Sequence, residues 1–239
     1  MRQKISTAKL ILLHLYPGLL ILGLYFLLTP TVNSLGVPSV MSLMISFLLV
    51  IVPFELGFLL NEGKKVNGTY SLQNILVNEI VSTKKMFGII IGGIILSILI
   101  VGITQLMDKS IKENIFSWLP KWYFYDEEIN SGYTKNALLI TGIARLFVDG
   151  LIIPYVEEIY FRGYLLPRIS GNGLKVPLTA TVLFAVYHFW QPWNYLSLLI
   201  ISVILVFPAW YFKNYKISLY LHIALNVLGA IVFLLMINR

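Results

Sequence analysis

Long apolar runs recur from one end of this 239-residue chain to the other, and they constrain its fold more than any other feature. A helix needs about 20 apolar residues to cross roughly 30 Å of hydrocarbon. Segments 10–29, 39–61, 86–106, 194–212 and 217–237 meet that requirement, and 174–190 is a shorter candidate. A seventh run, 136–169, is longer than a simple span and is interrupted by charges and Pro154. Only 12% of the residues are charged, against roughly a quarter in soluble domains, too few to cover a water-soluble globule. The expectation is an all-α, polytopic membrane bundle of about seven helices forming one integral membrane domain over 1–239. An eighth crossing would require 136–169 to cross twice, and its halves are short for that.

The first run lacks a small-residue cleavage site and reads as a retained span. Cysteine is absent, which excludes disulfides, thiolate chemistry and cysteine-bound zinc. The net charge of +7 does not point to nucleic acid, because the basic residues sit in short groups at the ends of apolar runs. Assigning the connections alternately puts twelve Lys and Arg on one side and five on the other, with Arg145 inside a span. The positive-inside rule then predicts a multi-pass protein of the cell membrane with a cytoplasmic N-terminus and an outside C-terminus.

Two connections are long. Leu72, Ile75, Leu76 and Ile80 are spaced as in an amphipathic helix over 66–83, expected to lie on the cytoplasmic face. The connection 107–135 carries Phe116, Trp118, Trp122, Tyr123, Phe124 and Tyr125, read as interfacial anchors. It also holds five acids, Asp108, Glu113, Asp126, Glu127 and Glu128. Gly88 and Gly92 make a GxxxG pattern, a weak helix-packing signal.

Ionisable groups in a lipid-embedded helix are expensive and mark function by default. They concentrate after residue 136, as Arg145, Asp149, Glu157, Glu158, Arg162, His188 and His222, with Asn226 one turn beyond. Earlier spans contribute His14, read as a packed or interfacial histidine, and Glu55, for which the sequence offers no clear partner. Arg145 and Asp149 are i,i+4 neighbours that can neutralise each other, as are Glu158 and Arg162. Adjacent Glu157 and Glu158 diverge by about 100° on a helix, so Glu157 is free to face a cavity. His222 and Asn226 share one face. Three helices can therefore bring a carboxylate, two imidazoles and an amide together. A carboxylate beside a histidine can take a proton from water, and a second histidine with an amide can donate to an oxyanion. Counted along each helix, the groups lie at unequal depths, so a shared site demands tilted helices.

Three motifs stand in order. Glu157-Glu158-Ile159-Tyr160-Phe161-Arg162 fits EExxxR, Phe184-Ala185-Val186-Tyr187-His188 fits FxxxH, and His222-Ile223-Ala224-Leu225-Asn226 fits HxxxN. Together they resemble the CPBP family, the CAAX prenyl endoproteases and their bacterial relatives, including bacteriocin-immunity-related proteins. The resemblance covers roughly 150–230 and makes 136–239 the expected catalytic core. It implies an intramembrane protease acting on a membrane-associated peptide or protein. Glu157 would be the general base with His188 as its partner, and His222 and Asn226 the oxyanion-binding pair. Glu158, Arg162 and Phe184 would be supporting residues. No cofactor is expected. A zinc alternative, with Glu157, His188 and His222 as ligands and an open position, stays open, although no HExxH is present.

Other readings of the same residues are a polar network that only locks the bundle, a non-catalytic scaffold or immunity protein that binds a membrane peptide, and a small proton-coupled transporter. No inverted repeat supports the last.

Overall fold

The computed structural model describes residues 4–125 and 132–237. Seven helical segments run through them: α1 (Thr7–Ser34), α2 (Ser39–Asn67), α3 (Thr83–Ile115), α4 (Lys135–Arg168), α5 (Lys175–Tyr187), α6 (Tyr195–Tyr211) and α7 (Tyr215–Ile237). All but α5 belong to segments long and apolar enough to cross a bilayer, and α5 is a shorter apolar helix of 13 residues. The long run at 136–169 is one unbroken helical segment, so no eighth crossing arises there.

Several helices are locally widened. α2 passes through a π-turn at Ile51–Leu56, and α4 through π-turns at Val148–Ile152 and Glu158–Leu165. Proline explains the position of the first two. Pro53 lies inside the first and Pro154 just past the second. A proline ring lacks an N–H and collides with the carbonyl four residues back, and a wider turn relieves that conflict.

Contacts sort the connections onto two ends of the bundle. At one end Lys4 Nζ donates to the Ile169 carbonyl (2.9 Å), Val77 N to Gly163 O (3.0 Å) and Glu79 N to Lys213 O (2.8 Å). At the other, the Tyr25 hydroxyl contacts the carbonyls of Trp122 and Tyr123 (3.1 Å each), and the Tyr123 hydroxyl donates to Phe189 O (3.1 Å). The two connections α4–α5 and α6–α7 share the first end, and α3–α4 and α5–α6 share the second, as alternating passes require.

Two expectations are corrected. Residues 68–82 are not an amphipathic helix. Gly68, in the left-handed region at φ 72°, ends α2, and an irregular strap follows. Its backbone groups find partners elsewhere: Asn67 Nδ2 donates to Ser71 O and Gln73 O, Arg168 Nη1 to Ile75 O, and Asn214 Nδ2 to Glu79 O. Ile75 is buried, whereas Ile80 is fully exposed. Those external partners substitute for the i→i−4 ladder, so the apolar spacing serves docking instead of a helix face.

The aromatics before α4 are mostly not interfacial anchors either. Tyr123 and Phe124 are buried against Trp193 and Tyr25, forming a packed cap over the α5–α6 turn, and Trp118 alone of the group is largely exposed, at 76%. Asp126, Glu127 and Glu128 lie outside the described residues, as do Arg2 and Arg239. The GxxxG pattern makes no packing contact, since a Cβ on Gly88 or Gly92 would meet open space. Gly93 is the close approach, against Leu221. The rest of α3 shows Ile91, Ile95, Leu99 and Ile103 outward, as a lipid-facing helix should.

Gly18 sets the distance between α1 and the end of α5. A Cβ there would lie 2.1 Å from the Tyr187 carbonyl oxygen, a backbone atom that cannot swing away, whereas one on Gly23 would meet nothing. Gly18→Ala should destabilise the protein by about 1–3 kcal/mol, read as a lowered thermal midpoint in detergent, while Gly23→Ala leaves the midpoint unchanged.

Candidate active site

The site begins with the divergence of two adjacent carboxylates on α4. Glu158 turns into the protein, fully buried, and is surrounded by partners. Its Oε1 lies 2.8 Å from His222 Nδ1 and 3.1 Å from Arg162 Nη1, and its Oε2 accepts from the Ser218 hydroxyl at 2.5 Å. The Arg162 contact is an ion pair whose angles fall short of a hydrogen bond. The guanidinium also lies 3.8 Å from the centre of the Phe184 ring, a cation–π contact strengthened by desolvation. The contact links α4 to α5 beside the cavity that Phe184 lines.

Glu157 turns the other way, into a cavity of about 500 Å³. Phe184, His188, His222 and Asn226 line the same cavity, so all four residues of the expected catalytic set converge from α4, the end of α5 and α7. The unequal depths counted along the helices do not separate them. His188 stands just past the last turn of α5, and the α5–α6 turn that follows is tucked beneath the aromatic cap, with Trp190 and Trp193 buried.

The hydrogen-bond partners determine what each imidazole can offer. A carboxylate only accepts, so His222 gives its Nδ1 proton to Glu158 and directs Nε2 toward Glu157 Oε2, 4.0 Å away. A backbone carbonyl likewise only accepts, so the His188 Nδ1 proton goes to Phe184 O at 2.8 Å. Each histidine thus keeps its second ring nitrogen for other partners, with the tautomer assigned from the first. Asn226 is less free. Its Nδ2 donates to the Asp149 carbonyl at 2.9 Å and, over a longer distance, to Asp149 Oδ1 at 3.4 Å.

Arg145 and Asp149 form the expected i,i+4 pair at 3.7 Å and both line the cavity. His14 is a packed residue, bonded through Nδ1 to Leu10 O and resting on Phe161. Glu55 was without a partner in the sequence. It is fully buried, and its Oε1 receives the Tyr187 hydroxyl at 3.4 Å. Tyr187 sits inside the FxxxH motif, but tyrosine is common in this chain, and nothing in its spacing distinguishes it. Among the described residues no group of three His, Asp or Glu is gathered as a metal site.

Residues 139–228 match the family model described as type II CAAX prenyl endopeptidase Rce1-like, and that stretch contains all three motifs. A segment of 88 residues is 30% identical to UPF0177 protein YxdF of Lactococcus lactis, covering 37% of this chain and 49% of that protein. The chain thus spans about half the length of the curated relative it matches. No solved structure matches at a significant level. The resemblance carried by the motifs is therefore borne out by an independent comparison.

The buried pair makes a sharp stability test. Removing one partner strands the other charge, at a cost of about 3–5 kcal/mol. Arg162→Ala should lower the thermal midpoint in detergent far more than Lys65→Ala, whose partner Glu62 is a surface neighbour. Equal effects would mean that the α4 ion pair is not the restraint its burial indicates.

Proposed function

We propose that this protein is an intramembrane endopeptidase in which Glu157 activates water against a peptide bond. The observation that carries the reading is the convergence of Glu157, His188, His222 and Asn226 on one cavity inside a bundle of apolar helices. Water would be held between Glu157 and the free Nε2 of His188. Glu157 takes one proton as the water oxygen bonds to the carbonyl carbon. The resulting oxyanion is met by His222 Nε2, which donates in the imidazolium form, and by Asn226 Nδ2, which exchanges its long bond to Asp149 Oδ1 for the oxyanion. When the C–N bond breaks, Glu157 returns its proton to the departing amine. Glu158 accepts the Nδ1 proton and so fixes the His222 ring with Nε2 toward the reacting centre, much as a buried carboxylate orients a catalytic histidine elsewhere.

Most of the remaining wall is apolar, including Leu43, Met44, Phe47, Ile98 and Leu225, with Ser97, Gln191 and Ser202 as polar exceptions. It favours a membrane-associated peptide or protein segment as substrate. It contains no feature that demands a prenyl group. The proposed steps use no metal, and the response to a chelator tests that. The charge distribution favours the cell membrane, with the end carrying Lys64 and Lys213 in the cytoplasm.

The test is cleavage of a library of membrane-anchored peptides by purified protein, read by mass spectrometry. Wild type should cleave with or without a chelator, and Glu157→Ala and His222→Ala should lose on the order of 10²-fold or more in rate. An inert wild type that behaves like both variants would favour a non-catalytic peptide-binding scaffold. Orientation can be checked separately, because the chain has no cysteine. Single cysteines at Lys64 or Lys213 should react with an impermeant thiol reagent only after cells are opened. Cysteines at Leu35 or Trp118 should react in intact cells.

A further inference from the structure

The cavity that holds Glu157 is not enclosed by the bundle on every side. α3 and α7 both leave the end that carries Lys213, pack on each other and meet closely at Gly93, where a Cβ would lie 2.6 Å from Leu221 Cδ2. Beyond that contact they part. Ile98 and Val101 on α3, and Leu228, Gly229 and Val232 on α7, line the cavity and yet stay exposed, the four larger side chains at 51%, 45%, 40% and 48%. A side chain that faces both the cavity and the exterior marks an opening, and a Cβ on Gly229 would meet nothing within 4 Å. The cleft lies in the half of the bundle toward Tyr125 and Gln191, which also line the cavity. Among the described lining residues none comes from the strap 68–82, and at that end Leu76 and Val77 close over Gly163.

We propose that the α3–α7 cleft is a lateral entry, through which a membrane-anchored polypeptide passes from the lipid as a single extended strand and reaches Glu157 and His222 from the side. The inference rests on the proteolytic reading and adds the route and the conformation of the substrate. The cleft is continuous with the site, since Ile98 and Leu228 line one cavity with Glu157 and His222. Size decides the conformation. A helix about 10–12 Å across fills about 500 Å³ in roughly one turn. The cavity has about 500 Å³ in all, so a helical substrate would be stopped at the mouth. An extended strand is narrower, but it brings backbone N–H and C=O groups that need partners away from water. Ser97 supplies one. It is 1% exposed, lines the cavity beside Ile98, and its Oγ has no hydrogen-bond partner among the described residues. Arg145 Nε, on the same cavity, is likewise buried without one. The exposed mouth is apolar, which suits a segment arriving from lipid and not one arriving from water.

The experiment uses the full chain with Glu157→Gln, so that a membrane-anchored peptide is held and not consumed. A photoreactive benzophenone side chain is placed in turn at Ile98, Val101, Leu228 or Val232, and at Leu99 or Ile103 as controls. The controls are exposed on α3, at 58% and 72%, but do not line the cavity. Illumination in proteoliposomes should attach the peptide at the four cleft positions on the order of tenfold more than at the controls, the ratio given by about 1.4 kcal/mol of preference. In the active chain, Val101→Cys and Leu228→Cys joined by a bis-maleimide should slow cleavage by on the order of tenfold or more against the same chain before joining. Equal attachment at Leu99 and Ile103 overturns the proposal, as does a bridge that leaves the rate unchanged. Attachment of lipid alone at the cleft, where the wild type cleaves the peptide, overturns the route and keeps the proteolytic reading. Preferential attachment of the peptide, where the wild type cleaves nothing, supports the cleft as its entry and removes the proteolytic reading.

Discussion

The arrangement of this bundle depends on one buried carboxylate. Glu158 accepts from His222 and Ser218 on α7 and pairs with Arg162 one turn along α4, while Arg162 stacks on Phe184 of α5. One acid thereby ties three helices together. Burying such a pair brings little net stability compared with an apolar substitute, because desolvation offsets most of the attraction. What it supplies is direction. Each partner has a required position and angle, so α4, α5 and α7 are held in one register. An apolar contact would allow them to slide.

The orientation of Glu157 is a consequence of that restraint. With Glu158 committed inward, its neighbour is rotated toward the cavity. His222 is committed through Nδ1 to Glu158, so Nε2 is the nitrogen left facing Glu157. The carboxylate that does no chemistry in the proposed mechanism therefore decides the geometry of the groups that do. The widened turns act in the same region. Asp149 and Glu158 both fall within π-turns of α4, and Glu55 within the π-turn of α2. Such turns are uncommon and gather at functional sites. Here two of them adjoin prolines that an ordinary α-helix would not accommodate.

Aromatic packing covers the α5–α6 turn beside the cavity, which Trp190 and Tyr125 also line. Tyr123, Phe124, Trp190 and Trp193 form a layer over the α5–α6 turn, stitched by hydroxyl-to-carbonyl bonds from Tyr25 and Tyr123. This cap allows α5 to be only 13 residues long. A backbone turn at membrane depth is tolerated where protein buries it, and the cap provides that cover.

The helices, their number and the i,i+4 pairs Glu158–Arg162 and Arg145–Asp149 were legible in the sequence, as was the gathering of chemistry after residue 136. Each follows from hydropathy or from the fixed geometry of a single helix, and both are local properties. The three motifs added which helices meet. The rest was decided by contacts between residues far apart in the chain. The strap at 68–82 has helical spacing but finds its hydrogen-bond partners at Gly163, Arg168 and Lys213. The aromatics before α4 look interfacial until Trp193 lies against them. Asn226 is free on its own helix but is bound to Asp149 in the bundle. Glu55 gains a partner only when α2 packs beside the end of α5. Periodicity reports which face of a helix is apolar, but it carries no information on which buried polar group lies opposite. That assignment depends on helix crossing and on the local π-turns, so it appeared only in the tertiary structure.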